Sequence, residues 1–214
     1  MSALSATEIS PETLRRRLAA ASAEVGVRRA GLRVPRGDHE LNPGLAPPER
    51  LTPAAVLVPV IDRPDGLTIL LTLRTRHLAA HAGQIAFPGG RIEPEDRDPV
   101  AAALRETEEE IGLPPARVEV IGRLDTYLTR TGFEVTPVVG LVTPPFELRL
   151  DPHEVEDAFE VPLAFVLDPA RRDRHSRVFN GVERQFWAMP FGERFIWGAT
   201  AGMLVNLAEA LAEP

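Results

Sequence analysis

Three glutamates, Glu106, Glu109 and Glu110, stand at positions i, i+3 and i+4 of the run LRETEEEIG. On a helix they share an arc of about 100°, and Glu108 lies apart from them beside the apolar stripe. Carboxylates are hard oxygen donors of the kind that suit Mg²⁺ or Mn²⁺, cations that keep waters and bridge to phosphate oxygens. The alternative is a solvated acidic face. Against it, each close pair of like charges at these spacings costs about a few tenths of a kcal/mol, and the trio lies toward the helix C-terminus, where the dipole disfavours anions. A divalent cation would remove both penalties. Arg105, one turn before Glu109, could orient that carboxylate or form a surface ion pair of little worth. A calcium loop of the EF-hand type is excluded, because counting from Asp96 the sixth position is Ala101 rather than Gly and the twelfth is Thr107 rather than Glu.

The helix that must position these groups has readable ends. Asp98 is the N-cap candidate, Pro99 suits the first helical position, Gly112 suits a left-handed C-terminal position, and Pro114 stops continuation. Val100, Leu104, Thr107 and Ile111 form a stripe about 60° wide, which predicts that this face packs on a sheet and that the three carboxylates face away from it. Apolar runs at residues 54–61 and 67–74, separated by the turn formers Asp62 to Gly66, read as a strand pair, and VEVIGRLDTYL and FEVTPVVGLV have the same character. Residues 11 to about 30 read as a helix capped by Ser10, with Leu14, Leu18, Ala21 and Val25 near helical spacing. Residues 31–53 are rich in Pro and Gly and read as a surface linker, and a last helix spans about 199–211. The order is helix, strands, helix, strands, short helix, strands, helix, which fits an α/β fold with helices on both faces of a mixed sheet. We divide the chain into an N-terminal helix and linker, residues 1–50, and one catalytic domain, residues 51–214.

Composition closes several classes. The chain has 214 residues and no cysteine, and all its basic residues are Arg or His, none Lys. Disulfides, thiolate nucleophiles, Schiff-base lysines and P-loop lysines are thereby removed. A net charge of −7 argues against a general nucleic-acid surface, so a phosphate-bearing substrate would need a cation between it and the protein. No apolar run is long enough to span a bilayer, and the N-terminus lacks a signal-peptide pattern, so the expectation is a cytoplasmic protein with no membrane partner.

Gly90 together with Arg105-Glu106-Thr107-Glu108-Glu109-Glu110-Ile111-Gly112-Leu113 resembles the Nudix box: Gly, five residues, Glu, seven residues, then Arg-Glu-aliphatic-any-Glu-Glu-any-Gly-aliphatic. Here Asp96 replaces the first Glu, one extra residue precedes Arg105, and Thr107 takes the aliphatic position. Upstream, LLTLRTRHLAAHAGQIAFPGG is similar to the signature of Nudix coenzyme A pyrophosphatases, in which the longer spacing also occurs. Arg74, Gly83, Phe87, Pro88, Gly89 and Gly90 match that signature, and Ala79 stands where it has a second Arg.

The resemblance implies an α/β/α sandwich with a mixed sheet and a catalytic loop-helix-loop. It implies Mg²⁺ (or Mn²⁺) on Glu106 and Glu110, with Glu109 as third ligand or base, Arg105 beside them, and Arg74, Gly89 and Gly90 toward the substrate. The amides of Gly89 and Gly90 could approach phosphate oxygens, or the pair could be only a tight turn. For the general base, Glu154 is chosen over Glu156 and His153. The expected reaction is hydrolysis of coenzyme A to 3′,5′-ADP and 4′-phosphopantetheine. ADP-ribose or another dinucleotide is the runner-up substrate, and a non-catalytic nucleotide-binding regulator is the alternative of another class. His77 and His81 lack a third zinc ligand nearby, Trp187 and Trp197 read as core, and Leu204, Leu207 and Leu211 read as packing or as a homodimer contact.

Overall fold

Ser10 accepts a hydrogen bond from the Thr13 amide at 3.2 Å, and helix α1 (Pro11–Val27) starts there as the capping pattern predicts. The computed structural model describes residues 9–27, 35–44, 46, 48–76, 83–179 and 181–212, with the side chains of 22–27 left out. After α1 come β1 (Arg36–Gly37), β2 (Thr52–Arg63), β3 (Gly66–Arg74), β4 (Ile85–Ala86) and β5 (Gly89–Arg91), then helix α2 (Pro99–Ile111). Strands β6 (Val118–Arg123), β7 (Tyr127–Leu128), β8 (Phe133–Val142) and β9 (Val155–Pro162) lead to the short helix α3 (Leu163–Leu167). The chain closes with β10 (Asp173–Phe179), β11 (Val182–Phe191), β12 (Arg194–Trp197) and α4 (Gly198–Leu211). This is the order read from the sequence.

Strands β1 to β9 form one mixed sheet along the path β1-β7-β8-β2-β3-β4, with β5 also on β2, β6 on β8 and β9 on β3. β2 runs parallel to β8, Val58 opposite Val139, and antiparallel to β3, Val60 opposite Ile69. The near-continuous apolar runs of β2 and β8 follow from burial on both sides. Val58 and Val60 face one core with Leu14, Leu18, Val139, Leu204 and Leu207, whereas Ala55, Leu57 and Val138 face a second with Ala102, Ala103 and Ile111. Helices α1, α3 and α4 thus cover one face and α2 the other, an α/β/α sandwich. Pro59 is tolerated inside β2 because the strand changes neighbours there. The Leu57 amide donates to Pro88 O, and pairing with β3 begins at Val60, so no ladder bond on that edge needs the missing amide.

One expectation changes. The described part of the 31–53 stretch is laced to the sheet rather than laid over it. β1 pairs with β7, and the Asp38 carboxylate accepts from the Tyr127 hydroxyl and the Arg130 amide, both at 2.8 Å. Leu204, Leu207 and Leu211 are buried in the chain's own core, as the packing reading expected. The segment before residue 51 contributes to that core as well: Leu14 and Leu18 are fully buried, and Arg15 makes a two-pronged contact with Glu119. Leu18→Ala is therefore expected to cost about 2–5 kcal/mol of stability, as for other fully buried leucines, measured by urea unfolding. No described helix is long and apolar enough to cross a membrane.

Candidate active site

Helix α2 has the ends its sequence predicts. The Asp98 side chain accepts from the Ala101 amide at 2.9 Å, and Gly112 is left-handed at φ 68°, its amide donating to Glu108 O. The buried face is rotated from the expected stripe: Ala102, Ala103, Thr107, Glu110 and Ile111 are buried, and Val100 and Leu104 are only partly covered. Small residues explain this, since Ala102 and Ala103 pack with Ala55 of β2 and allow a close approach. Thr107 occupies its apolar site by giving its hydroxyl to Ala103 O at 2.6 Å.

That rotation carries Glu110 inward, so the three carboxylates do not form one exposed arc. Glu110 is 3 % exposed. It accepts from the Gly89 amide at 3.1 Å and from Arg74 Nη1 at 3.1 Å. Burial outweighs both donors and pushes its carboxyl up to about 7. Glu106 is half-buried, and burial raises its pKa as well, against the opposing pull of Arg105. Arg105 Nη1 donates to Glu106 at 2.9 Å and to Glu109 at 3.1 Å, the latter carboxylate being mostly exposed. The other side of the guanidinium meets Asp96 in a two-pronged contact at 3.1 and 2.8 Å. That contact holds the Asp96 carboxyl below its usual range. Asp96, whose role spacing alone leaves open, thus fixes the arginine that fixes two of the glutamates. An acid in the loop before the N-cap was the available signal.

Among the described residues, no three carboxylate or imidazole groups converge on one point. Two arginines account for the separation, Arg105 holding Glu106 and Glu109, and Arg74 holding Glu110. Arg74, expected at the substrate, spends its guanidinium on carboxylates: Glu110 on one side and Glu154, at 3.5 Å, on the other. A register shift in the β3–β9 pairing between Leu73 and Arg74 accompanies this orientation. The loop that brings Glu154 is tied down twice. Its Arg149 and Asp151 amides donate to Ile111 O and Glu110 O at the end of α2, and Thr75 N and Oγ1 donate to Glu154 O and His153 O.

The two glycines differ in purpose. Gly89 has φ 149° and its missing Cβ would overlap Ala55 O and the Val56 backbone. Its amide is committed to Glu110 rather than free for phosphate. Gly90 has room for backbone but not for a side chain, since a Cβ would come 2.5 Å from the Glu106 carboxylate. Trp187 is partly buried against the core with Arg174 over its ring, and Trp197 meets Phe186 edge-on. His77, Ala79 and His81 lie outside the described residues.

The donor set fits a hard divalent cation. Glu106, Glu109 and Glu110 offer only oxygen from adjacent turns of α2, two of them in desolvated settings that a cation would relieve, and Gly90 leaves clear the flank of Glu106.

A family model described as the NUDIX domain matches residues 51–180. The chain is 44% identical over 155 residues to a protein named uncharacterized Nudix hydrolase NudL from Escherichia coli (strain K12), covering 72% of this chain and 80% of that one. Among solved structures, a C. elegans Ap4A hydrolase in a binary complex aligns with TM-score 0.46 and 22% identity, covering 51% of this chain and 80% of that one. The NUDIX domain of Shewanella oneidensis NrtR complexed with ADP ribose aligns with TM-score 0.41 and 21% identity, covering 60% and 84%.

Proposed function

The chain belongs to the Nudix hydrolase family, and from that membership we propose that it cleaves the diphosphate bond of a nucleoside diphosphate derivative, coenzyme A first among them, releasing 3′,5′-ADP and 4′-phosphopantetheine. The observation that carries the reading is the carboxylate turn of α2, oriented by Arg105 with Asp96 and by Arg74 with Gly89. The coenzyme A assignment is supported by the match of residues 70–90 to the pyrophosphatase signature. Two of those positions contact the catalytic helix, Arg74 and Gly89 both bonding Glu110, while Phe87 is buried in the core on the other face of the sheet.

Glu106 and Glu110, with Glu109, would hold Mg²⁺ or Mn²⁺. The cation, when bound, supplies charge neutralisation at the diphosphate and polarisation of phosphorus. The chain itself supplies position and proton handling. Arg105, locked by Asp96, limits the positions open to Glu106 and Glu109 until a cation takes its place beside them. Glu154 is half exposed and tethered beside Glu110 through Arg74, where it can take a proton from an attacking water. Direct attack by water, the route the family resemblance implies, agrees with the absence of Cys and Lys from the chain. Glu154→Gln is expected to lower kcat by about 10²-fold or more with little change in KM. A pH–rate profile identical to that of the parent would remove Glu154 from the mechanism.

The test is Mg²⁺-dependent hydrolysis of coenzyme A, acyl-coenzyme A, ADP-ribose, NADH and diadenosine polyphosphates, with products resolved by chromatography. Preferred cleavage of coenzyme A to the two named products is the expected result. Preference for another substrate would keep the hydrolase and discard the coenzyme A reading, and binding without turnover of any of them would discard both.

A further inference from the structure

We propose that a cleft on the face opposite α2, between the turn at residues 38–42, the β7–β8 turn and the β10–β11 hairpin, is a phosphoryl-anion site separate from the carboxylate centre. Its lining includes Asp38, His39, Leu128, Thr129, Arg130 and Arg184. Arg177 stands directly opposite Arg184 in the hairpin, a like-charge cross-strand pair that is unfavourable unless an anion joins it. Arg130 and Arg177 both lie over the ring of Phe179, at 5.5 and 5.6 Å, which gathers the third cation to the same place.

Nearby acids form no ion pair with these arginines among the described residues: Asp38 accepts from the Tyr127 hydroxyl and the Arg130 amide, and Glu183 accepts from Ser176. The cleft also holds a donor in want of an acceptor. Arg184 Nε is a buried N–H without a hydrogen-bond partner among the described residues. The walls are held by Asn42, whose side chain exchanges hydrogen bonds with the Gln185 backbone at 3.0 and 2.9 Å, so the arginines stand on a braced frame.

Two guanidiniums lining the cleft, Arg130 and Arg184, with Arg177 flanking it across the hairpin, match a dianion with several acceptor oxygens better than a single carboxylate. The anion is the phosphoryl group of a phosphomonoester, either pendant on a nucleotide or free. The site does not rest on the coenzyme A reading, because no atom of the carboxylate turn takes part in it.

The experiment is calorimetric titration of the full chain in EDTA, first with inorganic phosphate, then with adenosine 3′,5′-bisphosphate and with 5′-AMP. Arg184→Gln and Arg177→Gln are the variants, and Arg117→Gln, an exposed arginine elsewhere, is the control. Phosphate is expected to bind the parent and the control alike, with affinity lowered at least about tenfold in either cleft variant. Tighter binding of the bisphosphate than of 5′-AMP, with the difference lost in Arg184→Gln, would identify a pendant phosphate. Equal binding of both adenylates, each failing to displace inorganic phosphate, would identify the free ion. Absence of phosphate binding to the parent, or unchanged binding in both variants with their thermal unfolding intact, would overturn the proposal.

Discussion

Glu110→Gln is expected to lower Mg²⁺-dependent hydrolysis by at least about 10²-fold while leaving the chain folded, because Gln keeps the shape of the side chain but not its negative charge. Its stability should diverge from that of the parent with pH. In the metal-free folded chain, burial raises the Glu110 carboxyl from the ordinary 4.5 to about 7, so the folded state holds this proton more tightly than the unfolded state does. The stabilisation from that proton is fully present below about pH 4.5 and is lost as pH rises through about 7. Gln carries no such proton. Thermal unfolding in EDTA should therefore show the variant gaining on the parent between about pH 4.5 and 7, with the gap constant above that range. Equal pH dependence for the two proteins would mean that Glu110 is not desolvated as the geometry requires, and full activity would remove it from the site.

Adjacent glycines should fail in opposite ways. Gly89→Ala places a methyl against Ala55 O and the Val56 backbone at a positive φ, where nothing flexible can yield. It is expected to cost about 2 kcal/mol or more of stability and to loosen β5 from β2. Gly90→Ala meets only the end of the Glu106 side chain. That carboxylate can swing aside, so the melting temperature should barely change while activity falls about 10–100-fold, the scale seen when the supports of a metal ligand are disturbed. Measuring melting temperature and kcat on both variants separates the two effects. A stable, active Gly90→Ala protein would show that Glu106 is not confined by the turn before α2.

What was legible in the sequence was mostly local. Asp98, Pro99, Gly112 and Pro114 marked both ends of α2 because caps and breakers act within a few residues of themselves. The paired strands were readable from turn formers between apolar runs. The buried face of α2 was misplaced because hydrophobicity ranks Val100 and Leu104 above Ala102 and Ala103, whereas close approach to Ala55 favours the alanines. No wheel drawn on one helix contains its partner's side-chain volumes. The contacts of Asp96 and Arg74 were out of reach for a similar reason: they are made to Arg105 and Glu110, nine and 36 positions away, and spacing alone does not reveal such pairings. Strands were expected between the short helix and the last helix, but not as a sheet of their own, β10 to β12, separate from the large one.

The hydrogen bonds from Arg149 and Asp151 to the last carbonyls of α2 have a kinetic consequence. About forty residues separate these donors from their acceptors, and they include the whole of β6 and β8, so the helix end cannot be completed until that intervening chain has docked. Refolding from denaturant should recover helical circular dichroism before it recovers turnover, with the catalytic centre among the last parts of the molecule to close.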